Sequence, residues 1–136
     1  MILADTSGLL CLFNVREPQH AAVRDIVAQD VEPLVLSPYV VSELVYLISS
    51  RLGHGAELAV LSELATPAYT HACLDREDLR ACADVIARHS DASLGVTDAS
   101  LLVLADRLGI DQVLTLDRRH FSTARTPNGR ALTLLP

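Results

Sequence analysis

Short apolar runs alternate along the chain with longer stretches of helical periodicity. Ile2-Leu3-Ala4 is the first run and reads as a strand. A helical stretch from about Gly8 to Asn14 follows. Pro18 opens a second helix through about Gln29, with Ala22, Val23, Ile26 and Val27 at helical spacing. Leu34-Val35-Leu36 is a second strand. Ser37-Pro38 then starts a helix, because serine caps and proline suits the first helical position. Its apolar face is Val40, Val41, Leu44, Leu47 and Ile48, and it stops near Gly53.

The same alternation continues to the C-terminus. A helix over roughly Ala56 to Ala65 ends at Thr66-Pro67, and Tyr69 to Leu74 is a third strand. Asp75 with Asp78 begins a helix carrying Leu79, Cys82, Ala83 and Ile86. Thr97 is expected to cap a helix from Asp98 to Leu108, ended by Gly109. Val113 to Leu116 is a fourth strand, Arg118 to Phe121 a short turn or helix, and Ala131 to Leu135 a last strand. Short apolar strands alternating with amphipathic helices predict an α/β fold, a parallel sheet sandwiched between helices. With no repeat, linker or low-complexity stretch, residues 1–136 read as one domain.

Composition narrows the chemistry. Half of the 136 residues are hydrophobic, enough to build a core. There is no Trp, so Leu, Val, Ile and Ala must fill it. All eleven basic residues are Arg. A P-loop and a catalytic or Schiff-base lysine are therefore excluded. Net charge is −6, unlike a protein that grips nucleic acid unaided. It becomes −2 if four acids are set aside as a single site. No apolar run approaches the roughly 20 residues needed to span a bilayer. The N-terminus lacks a basic leader, so the expectation is a cytoplasmic protein with no membrane association. Cys11, Cys73 and Cys82 are odd in number and widely spaced, and read as reduced, buried small hydrophobes.

In an open parallel sheet, sites form beyond the carboxyl ends of the strands. Asp5 directly follows the first strand and Asp117 the fourth. Glu43 lies near the start of the helix after the second strand, and Asp98 starts the helix leading into the fourth. Crossover helices run antiparallel to the strands, so topology places all four acids on one rim. Each has a structural alternative: Asp5 as a helix cap, Asp98 as a first-turn acid favoured by the helix dipole, Asp117 as a turn residue. Glu43, interrupting an apolar run from Tyr39 to Tyr46, is the hardest to explain as structure. The coincidence of four carries the reading. Clustered carboxylates repel unless protonated or metal-bound, and their hard oxygens suit Mg²⁺ or Mn²⁺. Such a nest is what a metal-dependent phosphodiesterase uses.

Asp5-Thr6-Ser7, Ser37-Pro38 with Ser42-Glu43-Leu44, Thr97-Asp98-Ala99-Ser100 and Leu114-Thr115-Leu116-Asp117-Arg118-Arg119-His120-Phe121 occur in that order. Together they resemble the PIN-domain pattern, and specifically the VapC toxins of bacterial toxin–antitoxin pairs, over essentially the whole chain. The resemblance implies an endoribonuclease dependent on Mg²⁺ or Mn²⁺, with Asp5, Glu43, Asp98 and Asp117 as its acids. Thr6 or Ser7, and Thr115, match hydroxyl positions that support the acids by hydrogen bonding. It also implies a homodimer, a VapB-like antitoxin partner and a structured RNA substrate: a tRNA, or the sarcin–ricin loop of ribosomal RNA. The stretch Asp91 to Asp98 resembles a subgroup acting on that loop.

Asp91 is a fifth acid near the rim, serving either as a loop or capping residue or as outer support of the metal. Arg118, Arg119 and His120 either contact RNA phosphate or solvate a surface turn. His20, His54, His71 and His89 read as surface or packing residues. Other classes remain for comparison: a receiver-type phosphoryl-transfer domain, which needs a lysine that is absent, a non-catalytic interaction module, and a DNA-flap nuclease, which needs a longer chain.

Overall fold

The computed structural model describes Met1–Pro136. Five short strands, β1 (Leu3–Ala4), β2 (Leu34–Leu36), β3 (Tyr69–His71), β4 (Gln112–Leu114) and β5 (Thr133–Leu135), form one parallel sheet. Their order is β3-β2-β1-β4-β5. The chain winds outward from β1 to β3, returns to pair β4 with the other side of β1, and winds outward again. The reversal between β1 and β4 is the switch point at which a doubly wound sheet opens a crevice. Leu3 pairs with both Val35 and Val113, which fixes the register there. Leu3, Ala4, Leu36, Val113 and Leu114 are fully buried, as strands covered on both faces must be.

Seven helices connect the strands: α1 (Thr6–Phe13), α2 (His20–Gln29), α3 (Pro38–Leu52), α4 (His54–Leu64), α5 (Arg76–Arg88), α6 (Val96–Leu108) and α7 (Arg118–Phe121). The helix signals act as expected at most ends. The Ser37 hydroxyl accepts from the Tyr39 amide at 3.2 Å, with Pro38 in the first position of α3. Asp75 and Asp78 exchange reciprocal bonds of 3.0 and 2.9 Å at the start of α5. Gly109, at φ 69°, supplies the left-handed residue that ends α6. Seven successive residues of α6, Ala99 to Ala105, are buried, so this helix is enclosed nearly all round. No helix is long and apolar enough to cross a membrane.

Several boundaries differ from the sequence reading. The first helix starts at Thr6, not Gly8, because Asp5 itself is the cap. The second starts at His20, two residues beyond Pro18, and the fourth at His54, because Gly53 at φ 86° both ends α3 and begins α4. Strand β3 stops at His71, and β4 stops at Leu114, so Asp117 lies three residues past the strand. Thr97 does not cap α6. The cap is Gly95, and Thr97 lies inside the first turn, where its hydroxyl turns to Glu43. Cys11 and Cys82 are free and buried as expected, but Cys73 is exposed, correcting that expectation. It lies past the end of β3, where the Arg107 guanidinium binds its carbonyl at 2.6 Å.

Candidate active site

The four acids come from four elements and line one cleft of about 300 Å³, together with Thr6, Ser7, Gly95, Thr97 and His120. Leu10 and Leu47 form its apolar wall. Asp5 stands at the end of β1, where its amide donates to the Leu114 carbonyl of β4 at 3.0 Å. That bond seats the residue on the switch point. Asp5 is only 5% exposed, so its charge needs partners. The Ser7 hydroxyl donates to Oδ2 at 2.6 Å and the Thr115 hydroxyl at 2.8 Å. Both hydroxyls also accept backbone amides: Leu116 on Ser7 at 2.9 Å, Asp117 on Thr115 at 3.0 Å. The strand-end loop that carries Asp117 is thus tied to the pair of hydroxyls that hold Asp5.

Asp117 caps α7, accepting from the His120 amide at 3.3 Å. The His120 ring turns back over the cleft, with Nδ1 3.1 Å from Asp117 Oδ2 and 3.5 Å from Asp98 Oδ2. Asp98, in the first turn of α6, accepts weakly from the Gly95 amide at 3.4 Å. Burial pushes its carboxyl up to about 6, and the neighbouring charges of Asp5 and Asp117 add to the rise against the opposing influence of Gly95 and His120. Glu43 reaches the cleft from α3 and accepts the Thr97 hydroxyl at 3.0 Å.

The supporting residues divide. Ser7 and Thr115 bond Asp5 as the resemblance implied. Thr6 does not: it lines the cleft, but its buried hydroxyl has no hydrogen-bond partner. Asp91 is exposed in a short 3-10 turn, Ser90–Ala92, and is not among the residues lining the cleft. Of Arg118, Arg119 and His120, only the histidine lines the cleft. Both arginines are exposed, and Arg118 donates to the Pro136 carbonyl. The other histidines behave as packing or surface residues. His20, His71 and His89 each bind a main-chain carbonyl at 2.8–2.9 Å, and His54 sits exposed beside Glu57.

The donor set fits a hard divalent ion. The cleft offers carboxylates, one imidazole and supplementary hydroxyls. The Asp98 carboxyl, raised first by burial and then by the charges of Asp5 and Asp117, is a group that a bound cation would hold ionised. As the side chains stand, no three of these groups close tightly enough on one point to enclose an ion.

This arrangement, a doubly wound parallel sheet with acids converging on its switch point, is that of a metal-dependent nuclease fold. A family model described as the PIN domain matches residues 2–126, and the chain belongs to that family, in its VapC ribonuclease branch. It is 44% identical over 135 residues, 99% of this chain and 100% of the relative, to Ribonuclease VapC26 of Mycobacterium tuberculosis (strain ATCC 25618 / H37Rv). The crystal structure of Mycobacterium tuberculosis VapC20, described as a sarcin–ricin loop cleaving toxin, superposes with a TM-score of 0.78. At 20% identity, over 86% of this chain and 90% of that one, it speaks to the fold alone.

Proposed function

We propose that the cleft hydrolyses phosphodiester bonds of structured RNA, with Asp5, Glu43, Asp98 and Asp117 holding Mg²⁺ or Mn²⁺. The single observation carrying this reading is that four acids, separated by up to 112 positions in the chain, line the same cleft at the sheet's switch point. A divalent ion bound there would stabilise charge on the scissile phosphate and make water a better nucleophile. Asp5 and Asp117, each fixed by hydrogen bonds at the β1–β4 edge, orient the attacking water. Asp98 and Glu43 would complete the negative wall that holds the ion. His120 presents its imidazole at the mouth of the same wall, where an N–H can meet a phosphate oxygen.

The biological role that follows is the toxin of a toxin–antitoxin pair, acting in the cytoplasm as a homodimer and silenced by a VapB-like antitoxin. The substrate class is structured RNA whose cleavage stops translation. The sarcin–ricin loop is the first candidate, on the Asp91 to Asp98 stretch, and tRNA the second. Purified protein is expected to cut RNA carrying one of these elements in Mg²⁺ or Mn²⁺, and to stop on addition of EDTA or on the change Asp5→Asn. Cleavage that persisted in EDTA would end the metal reading, and uncut sarcin–ricin loop beside cut tRNA would select the second substrate.

A further inference from the structure

The geometry points to Thr97 as the positioning residue for Glu43. Of the four acids, Glu43 is the longest and is carried by an exposed position of α3, where a free glutamate samples many rotamers. Holding such a side chain still costs rotamer entropy. The Thr97 hydroxyl supplies the restraint, donating to Glu43 Oε2 at 3.0 Å. Threonine suits the task because its branched β-carbon stiffens χ1. It precedes Asp98 in the same turn of α6, so one short segment carries one acid and aims another. Oε2 is engaged by the hydroxyl, and Glu43 lines the cleft.

That restraint works only if α6 is fixed against α3, and a buried pair of serines fixes it. Ser100, one turn beyond Thr97, donates to the Thr97 carbonyl at 2.6 Å. Its proton is then spent, so the 2.6 Å contact between Ser37 and Ser100 has Ser37 as donor. Ser37 is the cap of α3 and accepts from the Tyr39 amide with a lone pair. Both serines are fully buried. The start of the helix that bears Glu43 is therefore bonded to the turn that bears Thr97 and Asp98. Outer hydrogen bonds of this kind, when removed, typically lower metal affinity by about 10-fold to 100-fold.

This role rests on Glu43 being an acid of the site, and the test separates the two. Mn²⁺ alone is titrated calorimetrically into the full-length, metal-free protein and into Thr97→Val, Thr97→Ser, Glu43→Gln and the Thr97→Val/Glu43→Gln double variant. Thr97→Val is expected to weaken Mn²⁺ by about 10-fold, to lower kcat with little change in KM for RNA, and to leave the metal-free melting temperature near wild type. Thr97→Ser should restore affinity. The double variant should bind no more weakly than Glu43→Gln, because the hydroxyl acts through that carboxylate. Unchanged Mn²⁺ binding in Thr97→Val, failure of serine to rescue, or additive losses in the double variant would each overturn the role of Thr97. If Thr97→Val fails to fold, wild-type affinity in Thr97→Ala would overturn it equally. Wild-type binding by Glu43→Gln would instead remove Glu43 from the site, and Thr97 with it.

Discussion

Ser7 and Thr115 lie 108 positions apart in the chain and hold the same oxygen of Asp5. Their hydroxyl oxygens are 3.1 Å from each other. Both protons point to the carboxylate, so that approach is not a third bond but the consequence of sharing an acceptor. The arrangement fixes the angle of a nearly buried charge and, through the amides of Leu116 and Asp117, the loop beyond β4.

Ser7→Ala and Thr115→Val each remove one donor to Asp5 and one acceptor for a backbone amide. Each should lose about 1–3 kcal/mol of stability, together with at least tenfold in single-turnover cleavage. The double variant should lose less than the sum, since the two hydroxyls share one acceptor. Urea unfolding beside cleavage assays measures both quantities. Additive losses would mean that the two hydroxyls act independently.

The raised carboxyl of Asp98 has a sign that can be checked. In the folded, metal-free protein it holds its proton up to about pH 6, whereas the ordinary value is 3.8. Between these values the folded chain binds more protons than the unfolded one, so stability falls as pH rises from about 4 to about 6 and the loss persists above. Asp98→Asn removes the charge and should be more stable than wild type above pH 6 in EDTA, with the difference shrinking towards pH 4. Denaturant titrations across that range would show a constant difference if the carboxyl titrated normally.

Metal binding should report the same proton. Below about pH 6 the ion must displace it from Asp98, so apparent Mn²⁺ affinity should drop by up to about tenfold per pH unit from this group. Calorimetry in two buffers of different ionisation enthalpy would count the protons released near pH 6. Release of none would take Asp98 out of the coordinating set.

Gly8 sets the distance between α1 and the sheet. A Cβ added there would stand 2.4 Å from the Leu114 carbonyl oxygen and 2.8 Å from its carbon. Backbone cannot swing aside, so Gly8→Ala should push the start of α1 off β4. The expected loss is about 1–3 kcal/mol, with cleavage falling further than stability because Asp5 and Ser7 move with the helix. A variant with unaltered cleavage per folded molecule would show that the site tolerates this displacement.

Arg107 provides the contrast. It pairs with the buried Asp78 and ties α5 and the turn at Cys73 to α6, away from the cleft. Arg107→Ala strands a buried carboxylate and should cost several kcal/mol, about 3–5 at most. Mn²⁺ affinity of the folded fraction should stay near wild type. A matching loss of Mn²⁺ affinity would connect this ion pair to the site.

The alternation of apolar runs and helical periods determined the strands, their order of appearance and the parallel α/β class, because a strand buried on both faces must be apolar throughout. The same pattern made Asp5, Glu43 and Asp117 conspicuous, since each sits where a run ends or is interrupted, and Asp98 joined them by its place in the first turn of a crossover helix. What lay beyond it depended on contacts between distant segments. Thr97 has the local signature of a cap, and only the packing of α6 against α3 turns its hydroxyl to Glu43. The His120 ring, Thr6 left without a partner, the exposure of Cys73 and the Ser37–Ser100 bond were likewise decided in three dimensions. A sequence fixes what each residue is able to bond, whereas the choice among partners falls to whichever groups folding brings within about 3 Å.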